Sequence, residues 1–172
     1  MKNMSKLICL LLIFGLMTVV VVRAADEAGV DVKVTVQAFS LVVGDGNVTY
    51  GTLGVNTSRS TLPGEEDEMQ TATNTASTAK ISIKGAASSP AGWTLGGAAA
   101  PNVYVHQFCN DTDNDCSSPP TSYTALTINY ATLKASVANN GKVDFQLRIT
   151  TPTEVSDYTE QDVDVTVQVA SP

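Results

Sequence analysis

Apolar residues at every second position are what most constrain the fold of this chain. Val30, Val32, Val34 and Val36 alternate with Asp31, Lys33 and Thr35. Val143, Phe145, Leu147 and Ile149 alternate with Asp144, Gln146 and Arg148, and Val163, Val165, Val167 and Val169 alternate with Asp164, Thr166 and Gln168. Successive side chains of a strand point to opposite faces, so each segment presents one apolar and one polar face. A helix would scatter the same valines around its cylinder, and β-branched side chains suit a pleated, half-buried surface. All three segments are predicted as strands.

Shorter strands are predicted at 48–53, 80–84, 93–95 and 102–109, divided by Gly44-Asp45-Gly46, Ser88-Ser89-Pro90 and Asn139-Asn140-Gly141. Asn140-Gly141, just before Lys142, carries the chemistry of a hairpin turn. A turn or so around Thr132 to Val137 is the one helical candidate. Many short strands with turn residues between them predict an all-β fold, an antiparallel two-sheet sandwich. Residues 57 to 78 are polar and include Pro63-Gly64 and the run Glu65-Glu66-Asp67-Glu68. They predict an exposed acidic loop over about 57–70 that leads into a strand near Thr71. The run reads either as solvated surface or as a contact for a basic partner or a cation.

The beginning of the chain reads as an export signal. Lys2 and Lys6 precede an apolar run from Leu7 to Val22, and Val22-Arg23-Ala24 offers small residues for cleavage. Residues 1–24 are therefore expected to be a signal peptide, leaving 25–172 as one domain. The run of 16 residues is shorter than the roughly 20 that span a bilayer as a helix. Contact with a membrane is expected only through this segment, were it left uncleaved. The expected location is secreted, extracellular or on the cell surface.

The whole chain carries a formal net charge of −7, and losing Lys2, Lys6 and Arg23 takes it to −10. Such a surface repels phosphate backbones, which argues against nucleic acid as a partner. Cys109 and Cys116 are the cysteines that remain after cleavage, and in an oxidising compartment they are expected to form one disulfide.

Tyr50-Gly51-Thr52-Leu53, Thr73-Asn74-Thr75, and Val143 to Pro152 with Tyr158 leading into the last alternating strand form an order that resembles immunoglobulin-like modules of exported microbial surface proteins. The resemblance implies an immunoglobulin-like sandwich. The chain departs from antibody domains in one respect, because Cys109 and Cys116 are too close in sequence to tie two sheets together. Trp93-Thr94-Leu95 also echoes a Trp-x-Leu motif of cell-wall-associated bacterial domains, but that family carries two copies and this chain has one.

Chemistry-bearing residues are sparse. Asp111, Asp113 and Asp115 alternate between the two cysteines, and two readings stand for them. They are calcium ligands, since calcium takes six to eight oxygens, or they are turn formers at a hairpin tip. An EF-hand loop starting at Asp111 would need glycine and glutamate where Cys116 and Ser122 stand. His106, the sole histidine, is expected to be a partly buried strand residue making one hydrogen bond, with no serine elbow to serve. Aromatic residues make up only 6% of the chain, which leaves little material for a sugar-stacking platform. No cofactor is expected, calcium aside.

These readings lead to the expectation of a structural or adhesive surface module without catalytic activity. Its partners would be other surface proteins, itself, or a cell-envelope polymer. The alternative is a calcium- or carbohydrate-binding module using the 109–116 loop.

Overall fold

The computed structural model describes residues 33, 34, 36–117 and 123–172. The expected signal peptide and most of the first alternating segment lie outside them. Of that segment, Lys33, Val34 and Val36 are described and belong to no strand.

Ten strands form among the described residues, all within the unit Val36–Pro172. In chain order they are β1 (Leu41–Val43), β2 (Ser58–Ser60), β3 (Gln70–Asn74), β4 (Ala79–Ser89), β5 (Thr94–Leu95), β6 (Val103–Asn110), β7 (Thr124–Ala125), β8 (Ala131–Val137), β9 (Lys142–Thr150) and β10 (Asp162–Ala170). No helix occurs among the described residues. The larger sheet has the order β1-β3-β9-β6-β5, with β2 also beside β9 and β7 beside β6; the smaller is β10-β4-β8. Pairing is antiparallel except between β5 and β6.

The central strand of the larger sheet is β9, and its alternation is used as the sequence implies. Val143, Phe145, Leu147 and Ile149 are buried. Val143, Phe145 and Leu147 join Ala72 and Phe108 of the same sheet and Ile81, Ile83, Leu133 and Val137 of the smaller one in a single apolar cluster. Gly85, on β4, leaves room for this packing. A Cβ there would lie 2.8 Å from Leu95 Cδ2 and 3.3 Å from Leu126 Cβ.

Strands β2 and β3 pair with the same edge of β9, β2 against Arg148 to Thr150 and β3 against Lys142 to Phe145. The acidic segment is thus an excursion between two pieces of strand. It is not exposed throughout, because Ser60, Thr61 and Gln70 are buried. Three of its four acidic side chains are tied back: Glu65 accepts hydrogen bonds from the Ser60 amide and hydroxyl, Glu66 pairs with Arg59 at 2.9 Å, and Glu68 accepts from the Thr49 amide at 2.7 Å.

Three local expectations are corrected. The helical candidate at 132–137 is strand β8. Leu133 and Val137 are buried four positions apart, a spacing that falls on one face of a helix and of a strand alike, and β8 pairs with β4 with register shifts where Ala79, Ile81 and Ser82 meet Val137, Lys134 and Thr132. The predicted strand at 48–53 is irregular, with Gly51 (φ 63°) in a left-handed conformation within it. Asn140-Gly141 does make a tight turn, with Asn140 at φ 60° and the Gly141 amide donating to Ala138 O at 2.9 Å. Yet β8 pairs with β4 and β9 with β3, so the turn passes the chain from one sheet to the other. Buried Asn74 clamps it: its backbone exchanges hydrogen bonds with Asn140 and Gly141, and its side-chain amide reaches the carbonyls of Val137 and Ala138.

Candidate functional site

Three places hold the side chains to which chemistry could be assigned: the loop after β6, the buried histidine on β6, and the flank of β10.

Cys109 and Cys116 form a disulfide with Cα atoms 5.9 Å apart, which is compatible with an extracellular location. Both cysteines are buried. Asn110 organises the loop between them. Its side-chain amide donates to Asp113 Oδ2 and Leu133 O, each at 2.8 Å, while its Oδ1 accepts from the amides of Thr112 and Asp113. The loop is also stitched to β9, with the Asp111 amide donating to Asp144 O and the Asp144 amide to Thr112 Oγ1.

The three aspartates of this loop go to separate partners. Asp111 accepts from Gln146 Nε2 at 3.0 Å, Asp113 pairs with Lys134 Nζ, and Asp115 accepts from the Ser117 amide at 2.9 Å. The hydroxyl and amide of Ser117 hold the Asp115 carboxyl below the ordinary range. Among the described residues, no three His, Cys, Asp or Glu side chains gather as a metal-holding group. Gln146, on the polar face of β9, is nevertheless buried, because Thr61 donates to its Oε1 at 2.6 Å while it donates to Asp111.

His106 is 2% exposed. Its Nε2 lies 3.2 Å from Tyr50 Oη, and the two rings meet edge to face. Its Nδ1 is buried with no hydrogen-bond partner in the protein. Burial pushes the imidazole pKa down to about 4, and burial likewise raises the Tyr50 phenol, with smaller contributions from Tyr123, Glu66 and Glu68. Both groups are therefore neutral near pH 7, and the pair neither takes up nor releases a proton there. Tyr104, which packs beside both His106 and Trp93, donates to Ala86 O, and its phenol is pushed up to about 12 chiefly by burial.

Along β10 the described sheet has an edge. Of the described strands β4 alone pairs with β10, so its other edge carries no partner strand among the described residues. Beside it lies a groove of about 1240 Å³, walled by Val163, Val165 and Val167 of β10 and by Phe145, Leu147 and Ile149 of β9. Three buried polar atoms without a partner belong to residues that line it: Gln70 Oε1, Trp93 Nε1 and His106 Nδ1. Typical small-molecule pockets hold about 300–1,000 Å³.

Neither the groove nor the contacts of His106 are evident from the sequence. The alternation of Val163 to Val169 marks a strand, but whether both edges are paired depends on strand order. Tyr50 and His106 are far apart in the chain, and nothing in their local sequences joins them. In comparison with known proteins, no family model, no curated protein and no solved structure matches this chain.

Proposed function

We propose that this chain is an exported, self-assembling structural or adhesive module of the cell surface, a β-sandwich with an immunoglobulin-like strand order and no catalytic role. The observation that carries the reading is the edge of β10 that no described strand pairs, in a nine-residue valine-rich strand that flanks a long groove. An exposed strand edge is a template for pairing with another chain, and a globular protein that keeps one long and open invites association.

The strand order supports the immunoglobulin-like part. Such domains place their first, second, fifth and fourth strands in one sheet and their third, sixth and seventh in the other. With β1, β3, β4, β6, β9 and β10 taken as the first six, the larger sheet reads first-second-fifth-fourth and the smaller joins third to sixth. Strand β8 is an addition on the outer side of β4. The place of the seventh strand, beside β10, has no occupant among the described residues.

The disulfide-closed loop supports a robust module outside the cytoplasm. The calcium alternative gains no support from the loop, since Lys134 and Asn110 already engage Asp113. Sedimentation of the secreted protein over a wide concentration range, with binding to whole cells or isolated envelopes, tests the proposal. Concentration-dependent assembly or envelope retention is expected; a protein that stays monomeric and binds neither would overturn it.

A further inference from the structure

Resting on the exported part of the reading above, we infer that Asn47 and Asn56 carry asparagine-linked glycans and that Asn110, which stands in the same acceptor pattern, carries none. An asparagine followed two residues on by serine or threonine, with no proline between, is the acceptor pattern for such glycans in exported proteins. Asn47-Val48-Thr49, Asn56-Thr57-Ser58 and Asn110-Asp111-Thr112 meet it among the described residues. Asn3-Met4-Ser5 meets it too, but lies in the expected signal peptide and outside the described residues. The pattern by itself does not rank the sites, whereas their surroundings do.

Asn47 and Asn56 both lie on the connection between β1 and β2, and both are exposed. Asn47 is held through its backbone, with its amide donating to Asp45 Oδ1 and its carbonyl accepting from Gln70 Nε2, each at 3.1 Å. Asn56 has a φ of 52°, a left-handed conformation that asparagine adopts more readily than most residues, and its amide donates to Pro152 O at 2.8 Å. In both, the main chain is anchored while the side-chain amide makes no hydrogen bond among the described residues. A bulky, solubilising group on either side chain therefore breaks no contact of the fold.

Asn110 is the opposite case. It is 8% exposed, and its side-chain amide spends both N–H groups, on Asp113 Oδ2 and on Leu133 O. Glycan transfer joins the asparagine Nδ2 to the anomeric carbon of a sugar carried on a lipid phosphate or pyrophosphate. The N–C bond forms, the C–O bond to the phosphate breaks, the phosphate leaves with the electron pair, and Nδ2 gives up one proton. At Asn110 that proton is one already committed, so transfer would strip an acceptor of its donor. It would also set a sugar where the Cys109–Cys116 loop closes. A copy modified there could not keep this loop, so the folded protein is expected to carry no glycan at Asn110.

Peptides of the folded protein collected outside its own cells are mapped by mass spectrometry, before and after an amidase that removes asparagine-linked glycans and leaves aspartate. Sugar mass on the peptides holding Asn47 and Asn56, aspartate at both positions after the amidase, and plain asparagine at 110 are expected. Asn47→Gln and Asn56→Gln should each lose one glycan from the intact mass, and the double variant both, without a change of fold because both side chains are exposed. An exported protein with unmodified asparagine at 47 and 56, or with its sugar on Asn110, overturns this inference and leaves the export reading standing. A protein found only inside the cell overturns both.

Discussion

β9 and β10 are both nine residues long and both alternate apolar with polar side chains, yet they live in different surroundings. β9 has β2 and β3 along one edge and β6 along the other, and even its outward Gln146 is 2% exposed. β10 has β4 on one side, and its inward valines are half-buried. The difference teaches that alternation states which face a residue occupies, whereas the number of neighbours states how completely that face is sealed. A strand can be correctly patterned for a core and still lack the core that the pattern anticipates.

The sharpest way to break this comparison is to truncate one inward residue on each strand. Phe145→Ala should cost about 3–5 kcal/mol, as for other buried aromatic truncations, while Val167→Ala should cost about 1 kcal/mol because its side chain is only partly removed from water. Urea unfolding of the monomeric protein measures both, and equal losses would remove the distinction between sealed and open strands.

His106 sits on β6 opposite Ile149 of β9 and is 2% exposed, although it lines the groove. The unfolded histidine takes up a proton near pH 6.5, but the folded one does so only near pH 4. Stability is therefore full above pH 6.5 and falls as the pH drops toward 4, by up to about 3 kcal/mol. Unfolding midpoints over this window should show the slope, and His106→Gln should flatten it. A slope unchanged in the variant would mean that the imidazole is not sealed.

The loop after β6 closes the far end of the same sheet. Replacing both Cys109 and Cys116 with serine should cost about 2–3 kcal/mol, seen as a lower melting temperature that reducing agent no longer affects. A smaller loss would show that Asn110 alone holds the loop. Least of all should follow from Lys134→Met, because its ion pair with Asp113 is partly exposed and such pairs contribute less than about 1 kcal/mol. In the same melting assay, millimolar calcium is expected to leave the wild type unchanged. A rise lost in Asp113→Ala would restore the calcium reading of Asp111, Asp113 and Asp115.

Much of the fold was legible because its signals are local. The two later alternating segments are β9 and β10, the prediction at 80–84 falls in β4, and those at 93–95 and 102–109 overlap β5 and β6. The failures share a cause in non-local structure. The spacing of four between Leu133 and Val137 fits one face of a helix and of a strand alike, so pairing with β4 decides between them, and Asn140-Gly141 signals a tight turn without saying which sheets it joins. In the candidate sites, Cys109 and Cys116 were readable as a pair from their spacing. The destinations of the three aspartates were not, since Gln146 and Lys134 come from other strands.

By itself the sequence determined that the chain is built of strands, which face of β9 and β10 is apolar, and which cysteines meet. These follow from the two-residue period of an extended backbone and from contacts a few positions apart. Only the tertiary structure decided that β9 is enclosed and that, among the described strands, β10 has a single neighbour and a groove beside it. It also decided that Tyr50 covers His106 and that Asn74 clamps the turn between sheets. Such outcomes depend on which distant segments become neighbours, and burial is a sum over those neighbours that no local period encodes.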